Sequence, residues 1–270
     1  MVGAAAFAPG RPDDRAARCP GRQTCAVDTS IPAPAHARTV NRRRRVRLSD
    51  VDVRGRLRLD AVARFLQDVA IDDVEETGWG APEHLWFVRR IRIDVLEPFL
   101  DDREVELTTW CSGLAALAAG RRWSLAGDRG GRIEVDSVWI HLGPDQRPAR
   151  IAGFDIYAEA TGGRRVSTKL ELPDPPEGAA RSPWPLRATD ADLHGHVNNA
   201  VYWQAVEHAL LTERIDPRRP VRAELDYREP IDLGDDVGLV EAADGDGVVL
   251  AFVVGERVKA LARLSPLVPG

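Results

Sequence analysis

Thr189 to Glu207 reads TDADLHGHVNNAVYWQAVE, setting two aspartates, two histidines and two asparagines into ten residues before an apolar-periodic segment begins. An earlier stretch, Ser49 to Gln67, reads SDVDVRGRLRLDAVARFLQ and is a weaker copy of it. The offset between them is constant, since 190 − 50, 192 − 52 and 195 − 55 all give 140. Asp50, Asp52 and Gly55 match Asp190, Asp192 and Gly195, whereas Arg54, Arg56 and Arg58 stand where the second copy has His194, His196 and Asn198. One fold unit is written twice. Only the second copy keeps imidazoles, the groups that carry a proton near neutral pH.

The segments downstream of the two copies share one order. After the first, Asp60 is placed to N-cap a helix. Val62, Phe65, Leu66 and Val69 then repeat at helical spacing, and Gly78 can close the helix. Beyond Gly80 the period falls towards two, with strands expected at Trp86 to Val95, Val105 to Trp110, Arg121 to Leu125 and Ile133 to Leu142. The last two form a hairpin through Asp128-Arg129-Gly130-Gly131. After the second copy, a helix is expected over Ala200 to Arg214, then strands at Val221 to Arg228, Val237 to Val240, Val248 to Val254 and Val258 to Leu264. A second echo pairs EPFLDDREVEL from Glu97 with EPIDLGDDVGL from Glu229, at an offset of 229 − 97 = 132. Two echoes in one order indicate a tandem duplication, and a helix succeeded by antiparallel strands is an α+β pattern.

The expected organisation is a head over 1–38, rich in Ala, Pro, Gly and Arg and read as disordered or extraneous. A first unit spans 39–170, then a Pro-rich linker 171–185 and a second unit 186–270. Arg42 to Leu48 reads as a strand with solvated basic side chains. The net charge of −5 argues against nucleic acid as partner, because phosphate binding wants a basic excess. Three cysteines, Cys19, Cys25 and Cys111, are an odd count without a disulfide pattern, which fits a reducing cytoplasm. No apolar run approaches the roughly 18 residues of a membrane span. There is no G-x-S-x-G elbow, P-loop or G-x-G-x-x-G, and no cofactor is expected. Asp192, His194 and His196, with Glu207 or His208, have a spacing that can ligate a metal, but the expectation is a metal-free site. Cys111 reads as a packing residue.

A helix wrapped by an antiparallel sheet and entered through D-x-D-x-x-G-H-V-N-N-x-x-Y resembles a hot-dog domain. Two in tandem, with the motif intact in the second, resemble the acyl-acyl-carrier-protein thioesterase family over Thr39 to Leu264. The Gly195 to Tyr202 core is similar to that of single-domain acyl-CoA thioesterases as well. The tandem arrangement, Arg121-Arg122-Trp123 and Ser137-Val138-Trp139 point to the carrier-protein branch. The resemblance implies hydrolysis of a fatty acyl thioester on acyl-carrier protein, releasing free fatty acid in fatty acid biosynthesis. The family's working groups are D-x-N-x-H and a later acid. Asp192 and His196 match directly, His194 stands where the family has Asn, and Glu229 is the candidate acid, one residue nearer Tyr227-Arg228 than in the family.

The chemistry expected of these residues is water attack with His196 as base, oriented by Asp192 or Glu229. Direct attack by a carboxylate stays open. Gly195, Asn198 and Asn199 lie where free amides at a helix start can face a thioester oxygen. Asn198 and Asn199 also read as an N-cap, Asp190 as a turn closer and Tyr202 as core. Phe65 and Trp86 are the expected acyl-contacting residues. The first unit, stripped of its imidazoles, is expected to be catalytically silent and to pack sheet-to-sheet or edge-to-edge on the second. An acyl-CoA thioesterase and a non-catalytic acyl-thioester-binding protein are the alternatives, and whether whole chains form a homodimer is open.

Overall fold

The computed structural model describes residues 32–80, 84–176, 178–212 and 215–267. The first unit runs β1 (Thr39–Arg45), α1 (Leu59–Glu76), β2 (Leu85–Glu97), β3 (Glu104–Leu114), β4 (Ala118–Gly127), β5 (Arg132–Leu142) and a short α2 (Asp155–Thr161). The second runs β6 (Arg181–Pro183), α3 (Asn199–Thr212), β7 (Val221–Tyr227), β8 (Val237–Asp244), β9 (Gly247–Val254) and β10 (Arg257–Pro266). All ten strands join one sheet in the order β1-β3-β4-β5-β2-β7-β10-β9-β8-β6. Read from either edge the sequence of roles is the same, so the molecule is a double hot-dog with a pseudo-twofold between its halves.

The halves meet edge to edge, where β2 pairs antiparallel with β7 from Arg90↔Asp226 to Val95↔Val221. Strand alternation sorts this seam into two faces. Ile91, Ile93 and Val95 on β2, with Val221, Ala223, Leu225 and Tyr227 on β7, join the main core. The opposite face carries charge. Arg222 donates twice to its register partner Asp94, Nε to Oδ1 at 2.6 Å and Nη2 to Oδ2 at 2.9 Å, and both residues are buried. Asp226 accepts the amides of Glu171 and Leu172 at 3.1 and 3.0 Å, docking the connecting segment across the seam.

The two long helices lie side by side against the sheet. Val62, Phe65, Leu66 and Val69 are all buried in the core, as their spacing requires, and so are Tyr202, Ala205, Val206 and Ala209. Thr77 caps α1, and Gly78 comes next in the left-handed region at φ +78°. The expected cap at Asp60 is not formed. Its carboxylate is engaged by Arg58 and Arg64, and the first amide of α1, on Leu59, is instead held by Glu207 of α3 at 3.0 Å. A carboxylate from the neighbouring unit thus replaces the local cap, which the local sequence alone does not show.

Three further departures have simple causes. The segment read as a linker contains the edge strand β6, three residues ending in Pro183 that pair with β8. Such a strand is too short to show a period. The first strand begins at Thr39, ahead of Arg42, and Leu48–Asp50 turns as a 3-10 helix. The unexpected α2 packs Tyr157 and Ala160 into a satellite core with Trp79, Cys111, Ala119 and Phe154. Of the head, 1–31 lies outside the described residues, while Arg38 already belongs to the fold, donating to Asp73 at 2.8 Å. No described helix is long and apolar enough to cross a membrane.

Removing one partner of a buried ion pair leaves the other charge unsolvated, at a cost of about 3–5 kcal/mol. Asp94→Ala should therefore lose stability of that order in urea unfolding. Replacing both Asp94 and Arg222 by leucine should recover most of the loss.

Candidate active site

Both copies of the motif fold into the same loop. Asp50 and Asp190 each accept a backbone amide three residues back, from Arg47 at 2.9 Å and Arg187 at 2.7 Å. The second aspartates do the same work as each other. Asp52 Oδ1 accepts the amides of Arg54 and Arg56 at 2.8 and 3.0 Å, and Asp192 Oδ1 those of His194 and His196 at 2.8 and 3.3 Å. Gly55 and Gly195 sit at φ +82° and +81°, which explains why both copies keep glycine there. The D-x-D-x-x-G frame therefore shapes the loop in both halves, and Asp190 closes a turn as its spacing suggests.

The halves differ in what the frame presents. In the first, Arg56 is buried between Asp52, with its Nε 3.2 Å from Oδ2, and Glu207 of α3, to which it donates a short hydrogen bond. Glu207 also receives the Leu59 amide, and burial pushes its carboxyl above the usual range against the pull of Arg56. That half-site is filled. In the second half the 140-residue offset exchanges the partners: His196 for Arg56, Asn199 for Leu59, and Gln67 of α1 for Glu207. Among the described residues no ion pair fills this position. A cavity of about 350 Å³ opens instead, with Gln67, Asp192, Leu193, His194 and Asn199 on its wall.

The α3 terminus at this cavity is prepared for charge. Asn198 Oδ1 caps it by accepting the Ala200 amide at 2.9 Å, and the Val201 amide bonds Asn198 O at 2.9 Å. The Asn199 amide has no partner among the described residues. Tyr227 holds the next peptide along: its hydroxyl donates to Asn199 O at 2.9 Å while accepting from Trp203 Nε1 at 3.0 Å. An oriented, unused amide at the positive end of a helix can receive oxyanion charge.

The remaining candidates are dispersed. His196 does not line the cavity; its Nε2 lies 3.5 Å from Asp232 Oδ1. Glu229 is not brought to either histidine. Lys259 donates to it at 2.9 Å and Arg257 lies 3.8 Å away, and Lys259 holds its carboxyl below the usual range. Phe65 belongs to the main core, whereas Trp86 does line the cavity, beside Trp79, Phe154 and Tyr157. Cys111 is also on that wall, and burial raises its thiol to about 11, which makes it a packing group rather than a nucleophile. Glu207, whose spacing suits a metal ligand, is engaged by Arg56 and Leu59. Two residues that local motif reading misses are Gln67 and Tyr227. The signal for Gln67 is the repeat offset carried through the helix; Tyr227 has none without the fold.

The fold and site define a tandem double hot-dog protein with one filled and one open motif loop. Comparison with known proteins agrees. The acyl-ACP thioesterase N-terminal domain matches residues 38–159, and the C-terminal domain of the same family matches 174–254. An uncharacterized protein of Mycobacterium tuberculosis is 34% identical over 226 residues, covering 83% of this chain and 90% of its own length. The chloroplastic oleoyl-acyl carrier protein thioesterase 2 of Arabidopsis thaliana is 24% identical over 237 residues, 78% of this chain and 64% of that one. The solved 12:0-ACP thioesterase of Umbellularia californica superposes with a TM-score of 0.68 at 16% identity, over 84% of this chain and 97% of that one. The chain belongs to the acyl-ACP thioesterase family.

If Glu207 both neutralises Arg56 and caps α1, Glu207→Ala should destabilise the fold by about 3 kcal/mol or more. Glu207→Gln, which still offers an oxygen to the Leu59 amide, should lose less. Denaturant midpoints of the two variants check the order.

Proposed function

We propose that this protein hydrolyses acyl-acyl-carrier protein to free fatty acid and carrier protein in fatty acid biosynthesis, at a single site per chain in the second unit. The observation that carries the reading is the contrast between the two motif loops, one filled by Arg56 and Glu207, the other opening on a cavity. Family membership supports the thioester as substrate.

The chemistry starts with water held at the Asp192 carboxylate, whose Oδ1 is already oriented by two backbone amides. Asp192 accepts a proton as the water oxygen adds to the thioester carbon. The resulting oxyanion faces the Asn199 amide and the α3 terminus. As the carbon–sulfur bond breaks, His194, the imidazole on the cavity wall, passes the proton to the departing sulfur, and the acid formed gives its own proton to solvent. A neutral imidazole both accepts and donates, so it can relay in this way. His196 holds the loop through its backbone and meets Asp232 on the outer side. Glu229, salt-bridged to Lys259, takes no part. The carrier protein is the macromolecular partner, and its acyl chain enters between α1 and the Trp86 wall.

Asp192→Asn and His194→Ala should each lower kcat/KM by about 10²–10⁴, the range of acid–base contributions, while His196→Ala and Glu229→Gln should cost less than about tenfold. Steady-state hydrolysis of one acyl chain on carrier protein and on coenzyme A measures these and the carrier preference together. A wild type that favours coenzyme A overturns the carrier assignment, and a His196 variant weaker than the His194 variant overturns the division of roles.

A further inference from the structure

The seam between the halves ends at Arg90↔Asp226, and beyond that pair β2 and β7 part. On the parted stretch of β2, Leu85 and Trp86 line the cavity; at the end of β7, Tyr227 holds the carbonyl of Asn199, which lines it too. Arg89 lies in the fork. Its Nη1 donates to the carbonyl oxygens of Tyr227 and Arg228 at 3.0 and 3.2 Å, so a single tyrosine links this guanidinium to the start of α3. Arg89 is half-buried, and no carboxylate pairs with it among the described residues. Burial holds its pKa below the usual arginine value against the pull of Asp226, and the charge of Arg228 adds to the lowering. The acids around it are committed elsewhere: Asp226 to the amides of Glu171 and Leu172, Asp174 to Arg228 at 2.7 Å, and Glu229 to Lys259.

Nε and Nη2 of Arg89 have no partner among the described residues, and neither is among the buried nitrogens that lack one, so both meet solvent. Those two atoms share one edge of the guanidinium, the edge through which Arg222 holds Asp94. Such a fork fits two oxygens of one anion. A cation held partly out of water without a counter-charge is costly until an anion arrives. The anion that a carrier-borne acyl thioester brings is the phosphate of its pantetheine arm, which coenzyme A shares. Resting on the thioesterase reading of the cavity, we propose that Arg89 binds this phosphate, so that the arm enters where β2 and β7 part and delivers the thioester to the start of α3. Arg228 adds positive charge beside it.

The test uses the full chain and one acyl group borne in turn by carrier protein, coenzyme A, phosphopantetheine and pantetheine. Only pantetheine lacks the phosphate. Losing it breaks a charge-assisted pair of hydrogen bonds, so wild type should hydrolyse acyl-phosphopantetheine with a kcat/KM about tenfold or more above that of acyl-pantetheine. The difference should lie mostly in KM, as for an interaction made equally in ground and transition states. Arg89→Gln should bring that ratio towards one and lower turnover on carrier protein and coenzyme A by a like factor. Arg89→Lys, which keeps the charge without the fork, should fall between. A purely structural arginine would lower all the substrates together and leave the ratio intact, which overturns the proposal. A loss confined to coenzyme A also overturns it, since that puts a different phosphate at Arg89. Calorimetric binding of phosphopantetheine and pantetheine to wild type gives a readout that needs neither turnover nor a variant. Hydrolysis of every substrate with no preference for the phosphate overturns this proposal and leaves the hydrolase reading intact. Preferential binding of phosphopantetheine without hydrolysis of any thioester sustains the phosphate site and overturns the hydrolase reading.

Discussion

The antiparallel pairing of β2 with β7 is the constraint on which the rest of the molecule depends. It makes one sheet of two units, relates them by a pseudo-twofold, and holds α1 and α3 side by side. Under that symmetry the start of each helix faces the flank of the other. Glu207 on α3 therefore reaches the first amide of α1, and Gln67 on α1 shares a cavity with the first residues of α3. Neither half-site is made by one unit alone. The seam persists because its inner face is continuous core, while on the outer face Arg222 makes a two-point contact with Asp94 and Asp226 accepts two amides of the connecting segment.

On this symmetric frame, few exchanges separate a closed half from an open one. Glutamate at 207 accepts the helix amide and neutralises the guanidinium at 56. Each residue requires the other, since a buried charge without its counter-charge is costly. At the related positions glutamine and histidine are uncharged or weakly basic, and the space they leave is available to a ligand. The first half is not idle at this cavity: its α1 and the β2, β4 and β5 strands contribute most of the wall. The motif-loop side of the cavity comes from one copy and most of the remaining wall from the other.

Much of this is readable in the chain. The loop frame can be inferred because Asp192 and Gly195 have a geometry that depends only on neighbours within a few residues. The helices are legible in Val62, Phe65, Leu66 and Val69, and the duplication in a constant offset. Interactions that span the halves are harder to see. The cap on Leu59 comes from a residue 148 positions away, and α1 therefore starts one residue ahead of the apparent cap at Asp60. Glu229 looks like a site acid from its place after Tyr227-Arg228, yet Lys259 on the adjacent strand claims it. His196 and His194 alternate along the loop, and which of the two meets the cavity depends on how the loop docks against Ile231 and Asp232, a contact with no local signature.

Joining the two copies in one polypeptide changes what each can become. Two separate but identical subunits paired through the same edge would share every substitution, and an arginine that shut one pocket would shut both. Covalent linkage through the segment docked on Asp226 removes that obligation. One copy is free to trade its reactive groups for wall and ballast, so the chain can shape a single binding chamber asymmetrically without surrendering the pairing that builds it.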